Sequence, residues 1–491
     1  MATLCPMSPM PSVSYSITIR LEFAARSATV SDITSHIESH GATVTALDVS
    51  ASGPERMRAD ITVLTAGHDH AMEVVEDLKS FEGVELGKVS DRTFLAHLGG
   101  KLKVESKVPI RHRDDLSMVY TPGVARVVRA IADNPEDARR LTIKRNTVAV
   151  VTDGTAILGL GDLGPLAAMP VMEGKAALFK RFADIDAFPI CLDAHSVEDI
   201  VAHVKAIAPV FAGINLEDIS APRCFEIEDR LREELDIPVF HDDQHGTAIV
   251  VVAALRNALR VVGKQIETAR IVLSGAGAAG TAILRLLRAA GARDIVVTDI
   301  DGIVHENRPG LSGRLPWIAE ITNPRGLTGT LRDAVAGADV FIGVSAGNIL
   351  SAADVETMAE RSIVFAMANP TPEIDPAEAV KHAEVVATGR SDFANQINNV
   401  LAFPGVFRGL LDARASHVSD RMLLAAARAL SDVVTPEELN PTYIVPSVFN
   451  EKVTTAVASA VEQVAREEAG TVDTITGAIQ AINADEIRYD G

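Results

Sequence analysis

The chain has 491 residues, enough for about three domains of ordinary size, and it is 47% hydrophobic and 23% charged, as soluble globular proteins are. A formal net charge of −20 argues against binding to nucleic acid or anionic membranes, because both need a basic surface. Cys5, Cys191 and Cys224 lack C-x-x-C spacing, and no uninterrupted apolar run reaches membrane-spanning length. The first residues, MATLCPMSPMPSVS, do not resemble a secretory signal, so we expect a cytoplasmic protein with reduced cysteines.

Residues 14–95 are predicted to form a small domain that follows a disordered tail over residues 1–13. Apolar and alternating runs predict four strands, and apolar residues at helical spacing predict two helices. The strands cover residues 16–23, 43–50, 57–65 and 84–89, and the helices cover residues 30–39 and 70–80. This β-α-β-β-α-β order is that of the ferredoxin-like, split βαβ unit.

In topology and length this N-terminal unit resembles the ACT family of small-molecule regulatory domains. ACT domains usually bind an amino acid at a Pro-Gly turn before the first helix, whereas residues 24–28 of this chain are AARSA. Two alternatives therefore stay open for this unit, a sensor of a small-molecule effector and a dimerisation or docking module. We also expect the chain to form a homo-oligomer, a dimer or larger.

The next part of the chain, residues 96–256, alternates predicted strands with predicted helices. The strands cover residues 146–152, 156–160, 187–192, 210–215 and 238–240, and the helices cover residues 163–181, 197–207 and 247–262. Strands that alternate with helices predict a parallel sheet, which binds ligands at the carboxyl ends of its strands.

A dinucleotide-binding fingerprint lies in residues 271–301. A predicted strand over residues 271–274 leads into Gly275, Gly277 and Gly280, a helix over residues 281–290, and a second strand over residues 295–298 that ends at Asp299. In this G-x-G-x-x-G pattern the glycines allow a tight turn, close approach to a pyrophosphate and close helix packing, and the helix N-terminus favours phosphate. Asp299, about 20 residues later, is placed to accept a hydrogen bond from a ribose hydroxyl.

Further predicted strands over residues 340–344, 363–367 and 385–387 extend this Rossmann-type domain, and amphipathic helices follow over residues 422–433 and 453–468. A second G-x-G-x-x-G pattern, at residues 159–164, follows the predicted strand at 156–160. Its Asp162 would face a pyrophosphate with like charge, and no acid ends a strand about 20 residues later. We therefore interpret this second pattern as a tight turn that shapes a substrate cleft.

Three carboxylates follow two of the predicted strands. Glu217 and Asp218 come directly after one strand, and Asp243 follows another. If they converge on one cleft, their repulsion needs a hard cation such as Mg²⁺ or Mn²⁺, since all the donors are oxygen. The spacing leaves a second explanation open, in which Asp242 and Asp243 cap the helix that begins near Thr247.

Two further side chains are candidates for proton transfer. Tyr120 lies beside a Thr-Pro-Gly turn, and Lys175 lies in the apolar segment PVMEGKAALFK. A lysine in apolar surroundings can have a lowered pKa and act as a base. The alternatives are a half-buried packing tyrosine and a helix lysine whose ammonium reaches solvent.

Seven segments together resemble the short bacterial form of malic enzyme: VYTPGVA, GLGDLG, PVMEGKAALFK, GINLEDIS, FHDDQHGTA, ANPTPEI and TGRSDFANQINNVLAFPG. The resemblance covers residues 114–470 and implies oxidative decarboxylation of L-malate to pyruvate and CO₂ with reduction of a nicotinamide cofactor. It implies an α/β fold with a substrate and metal domain over 96–256, a Rossmann-type NAD-binding domain over 257–420, and C-terminal helices over 421–491 that pack on the substrate domain. The ferredoxin-like unit precedes these parts.

The resemblance also implies roles for single residues. Lys175 resembles the general base that takes the C2 hydroxyl proton, Asp242 the carboxylate that assists it, and Tyr120 the acid that protonates the enolpyruvate carbon. The residues that match the metal ligands are Glu217, Asp218 and Asp243. The amides that match positions near substrate and nicotinamide are Asn369, Asn398 and Asn399. Longer malic enzymes carry a substrate-binding arginine where this chain has Ala156, and we expect the asparagines to replace it.

The sequence favours NAD over NADP, because Asp299 would repel a 2′-phosphate and the next residues, Ile300 and Asp301, offer no positive charge. The expected cofactors are therefore NAD and Mg²⁺ or Mn²⁺. Malolactic conversion, in which NAD stays bound and lactate leaves, is one alternative activity. A second alternative is a non-catalytic, dinucleotide-sensing regulatory protein.

Overall fold

A computed structural model of the chain describes residues 11–23, 29–52 and 56–486, and it describes no side chains over 51–52 and 471–486. The contacts divide the chain into two compact units, residues 1–103 and residues 104–491. The division thus lies later than the predicted domain boundary between residues 95 and 96. Two predicted features, the AARSA turn at 24–28 and residues 1–10 of the tail, fall outside the described residues.

The first unit is a four-stranded antiparallel sheet with the strand order β2-β3-β1-β4, which is the order of a split βαβ unit. Its strands are β1 (Ser12–Phe23), β2 (Thr43–Ser52), β3 (Met57–Thr65) and β4 (Val84–Asp91), and its helices are α1 (Val30–Ser39), α2 (His68–Ser80) and α3 (Arg92–His97). Alternate residues of β1, such as Ile19 and Leu21, are fully buried against α1 and α2. Strand β1 begins at Ser12, so the predicted tail is too long by residues 12 and 13.

The second unit contains a four-stranded parallel sheet with the order β6-β5-β7-β8. Its strands are β5 (Thr147–Thr152), β6 (Asp186–Cys191), β7 (Gly213–Leu216) and β8 (Val239–His241). The helices before and around it are α4 (Arg113–Val119), α5 (Val124–Asp133), α6 (Asp137–Leu141), α7 (Pro165–Ala183), α8 (Val197–Ile207), α9 (Arg223–Glu234) and α10 (Thr247–Val262). Helix α10 is buried on almost every side, which explains its continuous apolar sequence.

The strand predicted over residues 156–160 is wrong. Residues Ile157–Gly159 form a 3₁₀ turn instead, and the Ile157 N–H donates to the Gly161 carbonyl at 3.1 Å. Leu158 and Gly159 have φ of +47° and +76°, a left-handed backbone that no strand tolerates. The predicted strand over 210–215 also begins too early, because residues Ala208–Val210 form a second 3₁₀ turn at Pro209.

The Rossmann-type domain has a six-stranded sheet with the order β11-β10-β9-β12-β13-β14, parallel except for the edge strand β11. Its strands are β9 (Arg270–Ser274), β10 (Asp294–Asp299), β11 (Gly302–Ile303), β12 (Val340–Gly343), β13 (Ile363–Ala366) and β14 (Val385–Thr388). Its helices are α11 (Ala278–Ala289), α12 (Leu315–Ile321), α13 (Leu331–Val335), α14 (Ala352–Glu356) and α15 (Pro376–Ala379). The α/β fold class predicted from the sequence is confirmed.

The C-terminal helices are α16 (Phe403–Ala413), α17 (Asp420–Asp432) and α18 (Lys452–Glu486). Phe403 and Phe407 of α16 pack edge-to-face on Phe179 of α7, with ring centroids 4.7 and 5.2 Å apart. Helix α18 crosses α16 closely, since a Cβ added at Gly409 would lie 2.4 Å from the Ala458 carbonyl oxygen. Helix α16 therefore packs between α18 and α7, the helix that carries Lys175.

Candidate active site

The carboxyl ends of β7 and β8 place four acidic side chains beside one lysine. Strand β7 runs directly into Glu217 and Asp218, and β8 runs into Asp242 and Asp243. Neighbouring parallel strands end at the same edge of a sheet, which is why residues distant in sequence meet here. Lys175 reaches this edge from the middle of α7.

Lys175 is the centre of the cluster. Its Nζ lies 2.5 Å from Asp242 Oδ2 and 2.9 Å from Glu217 Oε1, and it also lies 4.4 Å from the centroid of the Phe403 ring. Only 7% of the residue is exposed, so the alternative of a helix lysine that reaches solvent is wrong. Burial alone would lower the pKa of Lys175, but the charges of Asp242 and Glu217 outweigh burial and raise it above its ordinary value.

Glu217, Asp218 and Asp243 form a carboxylate trio whose ligand oxygens lie within 4.8 Å of one another. Asp218 Oδ2 is buried without a hydrogen-bond partner, which suits an oxygen that a cation would contact. Hydrogen bonds orient the other two carboxylates. Asn215 Nδ2 donates to Glu217 Oε2 at 3.0 Å, and the backbone N–H of Asp218 donates to Asp243 Oδ2 at 2.9 Å. Three oxygen donors at this separation fit a hard divalent cation such as Mg²⁺ or Mn²⁺.

The electrostatics of the trio also favour a cation. Burial, and then the neighbouring carboxylates, raise the pKa of Glu217 well above its ordinary value. Burial and the charge of Asp243 raise the pKa of Asp218 to about 7. Burial raises the pKa of Asp242 as well, although Lys175 opposes this. One ammonium does not balance four carboxylates, three of them buried and the fourth, Asp243, partly exposed, so protons or a metal ion must supply the missing positive charge.

The alternative that Asp242 and Asp243 cap α10 is wrong. Residues Asp242–Gly246 form a π-helical turn before α10, and no side chain caps that helix. Asp242 Oδ2 instead accepts from Lys175 and from Asn399 Nδ2, which lies 2.5 Å away. The turn needs Gly246, because a Cβ there would lie 1.9 Å from Asp242 Oδ1. Asn399 thus connects the end of the Rossmann-type domain to the lysine cluster.

The glycine-rich loop after β9 has the geometry that its sequence predicts. Gly275 has a φ of +116°, and a Cβ at Gly280 would lie 1.8 Å from the Gly275 carbonyl oxygen, so turn and helix packing both require glycine. A Cβ at Gly277 would meet no atom within 4 Å, which leaves space against the loop at the N-terminus of α11. A pyrophosphate fits such a space beside helix N–H groups.

Asp299 stands at the tip of β10 as predicted, but the expectation that no positive charge lies nearby is wrong. Arg308 binds both carboxylate oxygens of Asp299, and its Nη1 lies 2.7 Å from Asp299 Oδ1. Although burial opposes the effect, this hydrogen bonding lowers the pKa of Asp299. No local pattern in the sequence indicates Arg308, because its position depends on the β10–β11 hairpin, which apolar spacing alone does not predict.

The turn that contains the second glycine pattern approaches the Rossmann-type domain. A Cβ at Gly159 would lie 2.8 Å from the carbonyl oxygen of Asn369, so glycine permits this contact. Asn369 is exposed just after β13. Asn398 uses its side-chain oxygen locally, to accept from the Val400 N–H at 3.0 Å. Of the three predicted asparagines, only Asn399 has a recorded contact with the lysine cluster.

Tyr120 is the predicted site residue that the structure does not bring to Lys175. It is 67% exposed between α4 and α5, and within the described part of the chain its hydroxyl has no recorded hydrogen bond. The alternative that Tyr120 is a half-buried packing residue is also wrong, because most of the side chain is exposed. The described structure contains no buried residue in α4, α5 or α6 either.

Two further buried groups near the site, Asn215 and Asp153, are not among the residues that the sequence predicts for it. Asn215 orients Glu217, as described above, and Arg223 Nη2 lies 2.5 Å from Asp153 Oδ2 at the start of the 153–164 turn. Asp153 also accepts from Thr155 at 2.6 Å, which fixes the turn beside Asp218. Arg223 and Asp153 are far apart in sequence, so no local pattern could have paired them.

Comparison with known proteins agrees with this geometry. The family description "Malic enzyme, N-terminal domain" matches residues 99–232, and "Malic enzyme, NAD binding domain" matches residues 244–466. The chain is 58% identical over 449 residues to the NAD-dependent malic enzyme of Geobacillus stearothermophilus, across 91% of this chain and 94% of that protein. It is 53% identical to the bifunctional malic/malolactic enzyme of Bacillus subtilis, across 75% of this chain and 90% of that protein.

A solved structure gives the same result. The crystal structure of the NAD-dependent malic enzyme from Thermotoga maritima superimposes with a TM-score of 0.73 at 49% identity, and the match covers 76% of this chain and 99% of that one. The chain therefore belongs to the malic enzyme family, the NAD-binding oxidoreductases that decarboxylate malate.

Proposed function

We propose that the cluster around Lys175 performs the proton transfers in the oxidation of L-malate to pyruvate and CO₂, with NAD as the hydride acceptor. The observation that carries this proposal is the contact of one buried ammonium with both Asp242 and Glu217, at 2.5 and 2.9 Å. Glu217 belongs to the carboxylate trio, so the base and the metal ligands share one wall of a cleft. A substrate oxygen bound at the trio would lie beside Lys175 Nζ.

The Lys175 ammonium first passes a proton to Asp242, whose pKa is raised by burial and whose Oδ2 lies 2.5 Å from Nζ. The neutral amine formed in this way takes the proton of the C2 hydroxyl as hydride leaves for the nicotinamide. Asn399 donates to the same Asp242 oxygen and holds the carboxylate in position. A divalent cation on Glu217, Asp218 and Asp243 would supply Lewis acidity to the substrate oxygens.

Tyr120 protonates the enolpyruvate carbon, and a second copy of the chain places it. Helices α4–α6 present apolar side chains to solvent, among them Leu116, Met118 and Val128, which are 48%, 68% and 59% exposed. Exposed apolar side chains on successive helices support a protein interface at this segment. The functional protein is thus a homo-oligomer in which this segment is covered. Crosslinking of a cysteine placed at Met118 to a second copy would test the arrangement.

NAD is the preferred nicotinamide. Asp299 accepts from a ribose hydroxyl while Arg308 holds both of its oxygens. The name of the Geobacillus stearothermophilus relative, NAD-dependent malic enzyme, supports the same choice. Because Asp299 already engages Arg308, that guanidinium is not free to receive a 2′-phosphate.

Malolactic conversion is the second candidate, because the Bacillus subtilis relative is named for both activities. One experiment separates the two. Malate, NAD and Mn²⁺ are supplied, and NADH, pyruvate and lactate are quantified over time. Equal amounts of NADH and pyruvate support the proposed reaction, whereas lactate without net NADH would replace it with the malolactic one. The same assay with NADP tests the cofactor preference.

The ferredoxin-like unit acts as an ACT-like regulatory or dimerisation domain. Its sheet order supports the assignment. Enzyme activity measured with and without a panel of amino acids would identify an effector, and removal of residues 1–103 would abolish that response. Unchanged oligomer size after the removal would argue against a dimerisation role.

A further inference from the structure

The first unit contains a cluster of side chains of the types that bind metal ions. His36 lies in the last turn of α1 and His40, four residues later, is its C-cap, so the two side chains lie on the same side of the helix end. Asp77 reaches them from the last turn of α2. We propose that His36, His40 and Asp77 bind a first-row transition-metal ion of the Zn²⁺ class.

The three ligand atoms converge on one point. Each residue offers one atom, and these atoms all lie within 4.8 Å of one another. Asp77 Oδ2 contacts His36 Nε2 and lies 3.5 Å from His40 Nε2. Metal–ligand distances near 2.0–2.2 Å place the ligands of one zinc ion about 3.3–3.5 Å apart. The Asp77–His40 separation matches this spacing, whereas Asp77 and His36, which are in direct contact, would move apart to admit the ion. Water would complete the coordination, because all three side chains are partly exposed.

The hydrogen bonding of His40 favours a cation at this point. Its Nδ1 lies 3.0 Å from the carbonyl oxygen of His36, which can only accept, so Nδ1 carries the hydrogen. Nε2 is then the ring nitrogen that faces Asp77 Oδ2 and is placed to bind a metal ion. A backbone carbonyl on the other ring nitrogen is also the usual way in which a metal-binding histidine is oriented.

The surrounding structure holds the cluster in place. The His36 ring packs edge-to-face on Phe81 and on His40, with centroids 4.7 and 4.9 Å apart. His70 lies between two backbone groups, with Nδ1 2.9 Å from the Ala66 N–H and Nε2 2.9 Å from the His40 carbonyl oxygen. The C-terminal ends of α1 and α2 both lie at the cluster, since His40 is the C-cap of α1 and Asp77 is in the last turn of α2. Helix C-termini carry a partial negative charge that attracts cations.

The chemistry distinguishes this cluster from the carboxylate trio. Two imidazoles and one carboxylate suit Zn²⁺, Co²⁺ or Ni²⁺, whereas three carboxylates suit Mg²⁺ or Mn²⁺. The two sites can therefore hold different ions in one chain. A bound ion would link α1 to α2 and stabilise the first unit by mass action.

Calorimetric titration of the full-length protein with Zn²⁺ in excess Mg²⁺ tests the proposal. His40→Ala removes one ligand from an exposed position, and His68→Ala is the matched control, because His68 is exposed at the opposite end of α2. We expect the wild-type and His68→Ala proteins to bind one more equivalent of Zn²⁺ than His40→Ala. Loss of a direct ligand should weaken the site at least about a hundredfold, since loss of outer partners alone costs 10–100-fold.

If His40→Ala folds poorly, a second variant and a second measurement still test the proposal. Asp77→Asn keeps the shape of the side chain but removes its charge, and a Co²⁺-loaded sample reports imidazole ligands through its visible absorption bands. Those bands should be present in wild type and His68→Ala and absent from Asp77→Asn. Equal Zn²⁺ stoichiometry in all variants, or no cobalt bands in wild type, would overturn the proposal and leave an ordinary histidine–carboxylate ion pair.

Discussion

Two buried charged clusters share the turn at residues 242–246, and they differ in how their charges are balanced. Asp242 and Asp243 belong to the lysine cluster, where one ammonium serves four carboxylates. The next two residues, Gln244 and His245, belong to a cluster around Glu228 of α9. Residues adjacent in one short turn thus enter two different electrostatic environments.

Every oxygen of Glu228 has a partner. Oε1 lies 2.7 Å from His245 Nε2 and 3.3 Å from the His241 N–H, and Oε2 lies 3.0 Å from Gln244 Nε2. Burial would raise the pKa of this carboxyl, but His245, together with His241 and Arg232, lowers it to about 2. The lysine cluster shows the opposite behaviour, with raised pKa values and an unpartnered Asp218 oxygen.

This difference in charge balance distinguishes a catalytic and metal site from a cluster that only stabilises the fold. A buried carboxylate whose two oxygens are both hydrogen-bonded, such as Glu228, specifies structure, and its contribution is measured in stability. A cluster with excess negative charge costs stability until a ligand binds, which is the condition expected of a metal and substrate site. Glu228 and Asp242 are both buried, so burial alone does not identify the site.

The largest expected effect is that of Lys175→Ala. Removal of the base should lower kcat by about three orders of magnitude, because positioned acid–base groups contribute 10²–10⁴-fold. Binding of NADH, followed by its fluorescence, should survive. Lys180→Ala on the exposed side of the same helix is the control and should leave kcat unchanged. Near-normal turnover in Lys175→Ala would remove the lysine from the mechanism.

The next effect is that of Asp243→Asn on metal use. Loss of one ligand charge should raise the Mn²⁺ concentration for half-maximal activity by about a hundredfold. Asp229→Asn on α9, an exposed acid outside both clusters, is the control and should leave that concentration unchanged. An unchanged Mn²⁺ requirement in Asp243→Asn would place the metal elsewhere.

Glu228→Gln tests whether the cluster around Glu228 contributes to stability and not to catalysis. Breaking a buried ion pair should lower the free energy of unfolding by about 3 kcal/mol, with kcat of the folded protein largely kept. Because the folded pKa is lowered from 4.5 to about 2, this stabilisation is present above pH 4.5 and is lost as pH falls toward 2. Urea unfolding at several pH values measures both effects, with the exposed Glu226→Gln as control. A loss of kcat without a loss of stability would reverse the assignment.

The smallest effect concerns cofactor choice. Asp299→Ser frees Arg308 and removes a negative charge, so the ratio of kcat/KM for NADP over NAD should rise about tenfold, equivalent to about 1.4 kcal/mol. The double substitution Asp299→Ser with Arg308→Ala should lose the gain. A rise that persists in the double variant would show that Arg308 does not receive the 2′-phosphate.

The longer helices could be predicted from the sequence, because the spacing of their apolar residues shows whether one face or the whole helix is buried. The bounds predicted for α1, α8 and α10 match the structure. The strand over residues 156–160 was wrong because a short apolar run does not distinguish a strand from a turn, and only the positive φ values of the glycines decide.

The candidate site was predicted unevenly. Glu217, Asp218 and Asp243 follow strands, so sheet geometry brings them together, and the apolar segment around Lys175 made it a candidate base. The family resemblance added the roles of Asp242 and Asn399. The cluster around Glu228 and the Asp299–Arg308 pair depend on tertiary contacts that leave no local pattern. The role of Tyr120 stays a prediction, since the residue is 67% exposed and no contact within the described residues brings it to Lys175.

The most direct test of the central claim is proton release on Mn²⁺ binding, measured by calorimetry in buffers of different ionisation enthalpy. The pKa of Asp218 is about 7 and that of Glu217 is well raised without a cation, so bound Mn²⁺ must displace protons near and below pH 7. The account predicts proton release and an Mn²⁺ affinity that falls as pH decreases, in wild type and Glu228→Gln alike. Binding without proton release at pH 6 would contradict it, because Glu217 and Asp218 would then already be ionised at that pH, and their pKa values would not be raised.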